Sequence, residues 1–198
     1  MKVYGDLQSG NCLKIKMLLS FLNIEHDWIH VSILDGETKT NEFLSKNPNG
    51  KIPAVELDDG RYLCESNAIL GYFSENSVFL PTDTYLKAKV YEWLFFEQYS
   101  HEPFIAVARF IQKYLGMPQE RENEYHSLQE GGNKALQLME SQLAKTKYLV
   151  GNEMTIADIS LYAYSHVAGE GGFDLNRYPA IKNWCNRIQL TPGYVGMA

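Results

Sequence analysis

The chain lacks the features of a secreted, membrane-spanning or nucleic-acid-binding protein. Its net charge is −6 and no run of Lys or Arg occurs, which argues against nucleic acid and anionic membranes as partners. No apolar run is long enough to span a bilayer. Gly5 and Asp6 interrupt the N-terminus before an apolar stretch of signal-peptide length can form. These absences predict a soluble, cytoplasmic protein.

Cysteine is equally scarce. Only three occur among the 198 residues, at Cys12, Cys64 and Cys185. This odd and scattered set disfavours a disulfide framework and favours a reducing compartment. Because no Cys-x-x-Cys pair and no His/Cys cluster has metal-ligand spacing, the sequence predicts no metal site.

The first part of the chain alternates short strands and helices. Predicted strands cover residues 2–5, 27–31, 54–57 and 61–64, and predicted helices lie around residues 15–22, 42–44 and from 66 onward. The turn signal Asp58-Asp59-Gly60 joins the last two strands as a hairpin. The order β-α-β-α-β-β-α predicts a thioredoxin-like N-terminal domain over residues 1–76.

The second part is predicted to be all-helical. Residues 77–84 contain Pro81 and no hydrophobic period, so we interpret them as a linker to a C-terminal domain over 85–198. Its helices are predicted at 85–115, 120–144, 155–167 and 180–190. Pro103 should bend or break the first of these, and Gly131-Gly132 should weaken the middle of the second.

Ser9, at the junction of the first strand and first helix, is a candidate anion-site residue together with Asn11. Backbone N–H groups at a helix start carry partial positive charge, and a nearby hydroxyl can donate to a bound anion. The alternative is that Ser9 or Asn11 only caps the helix.

Three further stretches carry similar signals. In 51–53, a proline at a strand entrance can hold a cis peptide bond and expose the backbone of Ile52 to a peptide-like ligand; an ordinary trans proline is the alternative. Glu65-Ser66 begins a helix and can hold a carboxylate, or be a plain cap. Thr155 with Asp158 is a capping-box pattern, which we interpret as structural.

In this order and spacing, the four stretches together resemble the glutathione transferase superfamily across essentially the whole chain. Ser9 resembles the catalytic serine of theta-like and related bacterial members. Residues 47–53 resemble the loop before the family's cis-proline, and Glu65-Ser66 resembles the pair that holds the glutamyl end of glutathione. Residues 155–158 resemble the family's capping box.

The resemblance implies a homodimeric enzyme with glutathione as co-substrate. Ser9 would donate to the glutathione sulfur, with Asn11 assisting. The implied glutathione-binding residues are Lys39, Lys51, Ile52, a cis Pro53, Glu65 and Ser66. The chain departs from several family classes because it has Thr38, with Lys39 beside it, where those classes have a histidine. Cys12 lies beyond the usual nucleophile position, which disfavours a cysteine nucleophile.

An apolar electrophile is the expected second substrate, and the aromatic-rich helix is the expected wall of its pocket. The candidate residues are Tyr99, Phe104, Ala108 and Arg109. Each could instead belong to the core or to a dimer interface. The same activated thiol could also serve peroxide reduction, disulfide exchange, dehalogenation or isomerisation. A non-catalytic binding module is a further alternative, because a fold does not determine a function.

Overall fold

The structure, a computed structural model, describes residues 1–197, and a four-stranded sheet lies near its N-terminus. The strands are β1 (Lys2–Gly5), β2 (Asp27–His30), β3 (Ala54–Glu56) and β4 (Tyr62–Cys64). Their order in the sheet is β2-β1-β3-β4. β1 pairs with β2 in parallel, whereas β3 is antiparallel to both β1 and β4. This mixed sheet confirms the predicted thioredoxin-like layout.

Three helices accompany the sheet, namely α1 (Gly10–Phe21), α2 (Asn41–Lys46) and α3 (Ser66–Ser74). α1 packs against α3. The buried side chains of these two helices include Leu18 and Leu19 from α1 and Ile69 and Leu70 from α3. Burial of such aliphatic side chains is the main force that holds the helices together. This packing brings the beginnings of α1 and α3 close to each other.

The rest of the chain is helical, as predicted. Its helices are α4 (Thr84–Phe96), α5 (Glu102–Arg109), α6 (Glu122–Leu143), α7 (Ile156–Ser165) and α8 (Pro179–Gln189). No helix among the described residues is both long and apolar enough to cross a membrane.

The predicted bend at Pro103 takes the form of a wider turn. Helical structure continues from α4 into α5 through a π-helical segment, Glu97–His101, and Pro103 lies in the first turn of α5. A proline has no N–H to donate and its ring collides with the carbonyl four residues earlier. We attribute the π turn to this collision, because the wider turn separates these groups without ending the helix.

The chain divides into two compact units. The N-terminal unit contains Met1–Glu75 and the described residues from Pro192 onward, and the helical unit contains Asn76–Thr191. The last described segment therefore belongs to the N-terminal unit, where it contacts α1, although the sequence predicted a helical domain up to residue 198. Ser20 Oγ donates to the carbonyl of Gly193 at 2.8 Å, and Lys16 Nζ donates to the carbonyl of Gly196 at 3.2 Å.

Candidate active site

Ser9 lies at the N-terminus of α1, where the helix N–H groups carry partial positive charge. Ser9 is the N-cap residue, and its side chain accepts a hydrogen bond from the Cys12 N–H at 3.5 Å. The capping role that the sequence left open is therefore present. This capping bond uses the Ser9 oxygen as an acceptor, so the Ser9 O–H can still donate a hydrogen bond. No acidic side chain lies in the first turn of α1, although the Asp6 carboxylate in the preceding loop accepts from the Gln8 N–H at 2.9 Å.

Asn11 and Ser66 meet although they are 55 residues apart in sequence. Ser66 Oγ donates to Asn11 Oδ1 at 3.0 Å. Ser66 is buried and also accepts a hydrogen bond from Lys14 Nζ at 3.2 Å. These contacts place the starts of α1 and α3 at one site. The sequence identified Asn11 and Ser66 but missed Lys14, whose place in the apolar pattern of α1 was the available signal.

Glu65 adopts a backbone conformation that side-chain-bearing residues rarely take. Its φ is 66°, and it occupies the N-cap position of α3 without a capping bond from its side chain. The sequence placed the cap at Ser66 instead. Backbone strain of this kind costs about 1–3 kcal/mol and clusters at ligand sites. Glu65 is exposed and directly precedes α3, so this position offers a carboxylate that can accept from an amine and, at the helix start, N–H groups that can donate to a carboxylate.

The loop before β3 is held by its own polar groups. Asn47 Nδ2 donates to the carbonyl of Lys51 at 2.6 Å, and Lys39 Nζ donates to the carbonyl of Gly50 at 3.1 Å. The Ile52–Pro53 peptide bond is cis. The side chains of Lys39, just before α2, and Lys51, in this loop, are both exposed. They are two cations available to an anionic group.

Two other polar groups near β1 are poorly placed to activate a thiol. The Tyr4 hydroxyl donates to Glu56 Oε2 at 2.6 Å, and burial together with that bond raises the pKa of Tyr4. Cys12 is completely buried, and this burial raises the pKa of its thiol to about 12. Because the thiolate is the reactive form of cysteine, Cys12 is inert near neutral pH.

The four residues expected around an electrophile do not lie together. Tyr99 and Phe104 line a groove of about 780 Å³ between the π turn, α5 and α6. Ala108 is fully buried and Arg109 is 2% exposed. Arg109 Nε donates to Glu170 Oε2 at 2.6 Å, so its guanidinium is engaged in an ion pair. This corrects the expectation that all four line one surface pocket.

Family models match both halves of the chain. Residues 8–76 match the glutathione S-transferase N-terminal domain, and residues 93–192 match the glutathione S-transferase C-terminal domain. The chain belongs to the glutathione S-transferase family. This membership makes it a glutathione transferase, and it confirms the resemblance inferred from the motifs.

Individual named proteins are similar to this chain over 90% or more of its length. A crystal structure of a glutathione S-transferase from Pseudomonas fluorescens is 58% identical, with a TM-score of 0.97 and coverage of 99% of this chain and 98% of that one. Glutathione S-transferase F13 of Arabidopsis thaliana is 30% identical over 98% of this chain and 95% of its own. The disulfide-bond oxidoreductase YfcG of Escherichia coli is 29% identical over 90% of this chain and 86% of its own.

Proposed function

We propose that the protein binds glutathione at the starts of α1 and α3 and stabilises its thiolate for attack on an apolar electrophile. The observation that carries this proposal is the hydrogen bond from Ser66 to Asn11, because it brings the N-termini of two helices, with their partly positive N–H groups, together at one site. Neither helix has an acidic side chain in its first turn. Family membership supports glutathione as the ligand.

The energy that thiol activation requires is within reach of this site. A free thiol has a pKa of about 8.5, so about 3% is ionised at pH 7. Lowering the pKa by about 2 units takes about 2.7 kcal/mol. A charge-assisted hydrogen bond from Ser9 supplies about 1.5–3 kcal/mol, and the α1 N-terminus adds about 0.3–1 kcal/mol. Ser9 thus acts as a donor and stays protonated.

The remaining contacts follow from the same placement. We assign the sulfur to Ser9 and Asn11, and the glycyl carboxylate to the cations Lys39 and Lys51. The Ile52 backbone, presented by Pro53, is assigned to the cysteinyl part. The γ-glutamyl end is assigned to Glu65, for its amine, and to the N–H groups at Ser66, for its carboxylate.

Disulfide exchange is the second candidate function, and the similarity to a disulfide-bond oxidoreductase favours it. It starts from the same thiolate, so the two functions separate at the second substrate. An apolar aryl halide and a glutathione-containing mixed disulfide, offered at equal concentration, would distinguish them. A binding module without activity would turn over neither substrate.

Removal of the Ser9 hydroxyl tests thiol activation. Glutathione is titrated into wild type, Ser9→Ala and Ser9→Gly, and the thiolate absorbance in the ultraviolet is followed near neutral pH. Glycine is a good N-cap that costs only a few tenths of a kcal/mol, so Ser9→Gly removes the donor while α1 stays capped. We expect both variants to bind glutathione, but the thiolate absorbance of the bound glutathione should be at least about tenfold lower than in wild type.

The control is Thr40→Gly, which removes a hydroxyl cap from α2, where Thr40 accepts from the Phe43 N–H at 3.2 Å. Its thiolate signal should match that of wild type. Equal thiolate in wild type and both Ser9 variants would show that Ser9 does not activate the sulfur. No thiolate in wild type would contradict the whole proposal.

We also propose that two copies associate through the helical unit and that the protein is cytoplasmic. Tyr99 and Phe104 are then assigned to the interface between copies in place of an electrophile pocket. Glu130 and Lys134 also line this groove, one turn apart on α6 and with opposite charges. A twofold axis between them would pair each with its opposite, which makes the face self-complementary. The three free cysteines fit a reducing compartment.

A further inference from the structure

A lysine lies inside the N-terminal unit. Lys14 on α1 has 0% of its surface exposed, and Leu13 and Ile15 beside it in sequence are buried as well. Burying an ammonium group costs free energy unless hydrogen bonds compensate for the lost water. An apolar side chain would fill this position at lower cost. The reason for a lysine here is therefore to be sought in what its ammonium group contacts.

One of those contacts is a residue of the candidate active site. Lys14 Nζ donates to Ser66 Oγ at 3.2 Å, and Ser66 Oγ donates in turn to Asn11 Oδ1 at 3.0 Å. An ammonium group has donors only, so the Ser66 oxygen must accept from Lys14 and its hydrogen is left to point at Asn11. The direction of donation is thus set from Lys14 through Ser66 to Asn11.

This direction also orients the Asn11 amide. Its oxygen accepts from Ser66, and its Nδ2 group is the other branch of the planar amide, so the Nδ2 donors do not serve that bond. Hydrogen bonds in a chain polarise one another. A cation at the head of this chain therefore strengthens the Asn11 N–H groups as donors to an anion.

We propose that Lys14 is a positioning residue for thiol activation: through Ser66 it holds the Asn11 amide with its N–H donors toward the glutathione sulfur. This inference rests on the proposed function, since it needs a bound thiolate. It assigns the Ser66 side chain to the orientation of Asn11, and leaves the Ser66 backbone for the γ-glutamyl carboxylate. No proton or covalent bond changes hands at Lys14.

The substitution Lys14→Met tests the proposal. Methionine keeps a long apolar stem and removes the three N–H donors and the charge. We expect kcat for an apolar electrophile at neutral pH to fall about tenfold, because the thiolate pKa rises by about 1 unit. The pH profile of kcat should move to higher pH and the rate should recover under alkaline conditions. KM for glutathione should change less.

Lys16→Met is the matched control. Lys16 is on the same helix and loses the same charge, but its Nζ donates to the carbonyl of Gly196 at 3.2 Å. Its pH profile should coincide with that of wild type. A purely structural role of Lys14 would lower stability and leave the profile of the folded enzyme unmoved, so an unmoved profile in Lys14→Met overturns the proposal.

A double-mutant cycle shows whether Lys14 acts through Ser66. In a Ser66→Ala background, Lys14→Met should cause no further shift of the profile, whereas a second, additive shift would overturn the relay. If Lys14→Met does not fold, Lys14→Gln takes its place, with a smaller shift in the same direction expected and an unshifted profile overturning the proposal. Wild-type thiolate is measured first: its absence removes the proposed function, and its presence with unshifted variants removes only the role of Lys14.

Discussion

Asp158 shows how much a single buried residue organises. Its Oδ1 accepts from the Leu149 N–H and the Trp184 indole N–H, each at 2.9 Å, and its Oδ2 accepts from the N–H of Thr155 at 2.9 Å. Burial raises the pKa of this carboxyl, and these hydrogen bonds oppose the rise. The sequence predicted the capping box with Thr155, which the structure contains. The capping-box motif did not predict the hydrogen bonds from Leu149 and Trp184 to Asp158.

Replacing Asp158 by alanine should therefore cost far more than an ordinary helix cap. Asp158→Ala leaves buried N–H donors without an acceptor, and we expect the free energy of unfolding to fall by about 3–5 kcal/mol. The control is Asp83→Ala, at the exposed N-cap of α4, where one N–H is lost and about 1 kcal/mol is expected. Urea denaturation measures both. Similar losses in the two variants would contradict the network role.

At the scale of elements, the paired glycines of α6 have a packing role in addition to the low helix propensity that the sequence predicted. Gly131-Gly132 was expected to weaken the helix, yet α6 runs unbroken over 22 residues. A Cβ at Gly132 would lie 2.3 Å from the ring of Phe173, which is 2% exposed. Because Gly132 has no Cβ, α6 can pack directly against the buried Phe173 ring. This packing outweighs the low helix propensity of glycine.

Gly132→Ala should accordingly destabilise the protein even though alanine favours helices. Overpacking costs about 1–3 kcal/mol, against a propensity gain of about 1 kcal/mol. Gly71→Ala in α3 is the counterpart, since nothing lies within 4 Å of its Cβ position. It should raise the melting temperature while Gly132→Ala lowers it. A rise in both would show that Phe173 yields to the added methyl group.

The whole molecule carries an apolar stripe that a single copy leaves uncovered. Tyr91, Phe95 and Tyr99 follow at intervals of four residues and are 39%, 72% and 86% exposed, and Leu138 on α6 is 52% exposed. An exposed apolar patch of this kind marks an interaction surface. This stripe and the adjoining groove are the basis for the proposed association of two copies.

The double substitution Phe95→Glu with Tyr99→Glu should convert a dimer to a monomer, because it places charges in an apolar interface. Leu190→Glu is the control, since Leu190 is 83% exposed, is the C-cap residue of α8 and is not among the residues that line the groove. Sedimentation equilibrium gives the mass of each. A monomeric wild type, or a dimer that survives the double substitution, would contradict the proposed interface.

The sheet-and-helix order and the helical second part could be predicted from the sequence alone, and the same sequence signals selected Ser9, Asn11, Glu65 and Ser66 as candidates. These predictions depend on local signals, namely periodicity, turn residues and helix starts. Such signals involve only residues that are close in sequence, so they do not require knowledge of the tertiary contacts. The sequence also allowed the family to be identified before any geometry was known.

Which of these residues are in contact became clear only from the three-dimensional structure. It showed the final segment bonded to α1, Ala108 and Arg109 buried in the helical unit, and Lys14 bonded to Ser66, 52 residues away. Such contacts arise only when separate elements pack together, as α1 packs against α3 to bring Lys14 to Ser66. Burial and donor direction then depend on neighbours that no local pattern in the chain specifies.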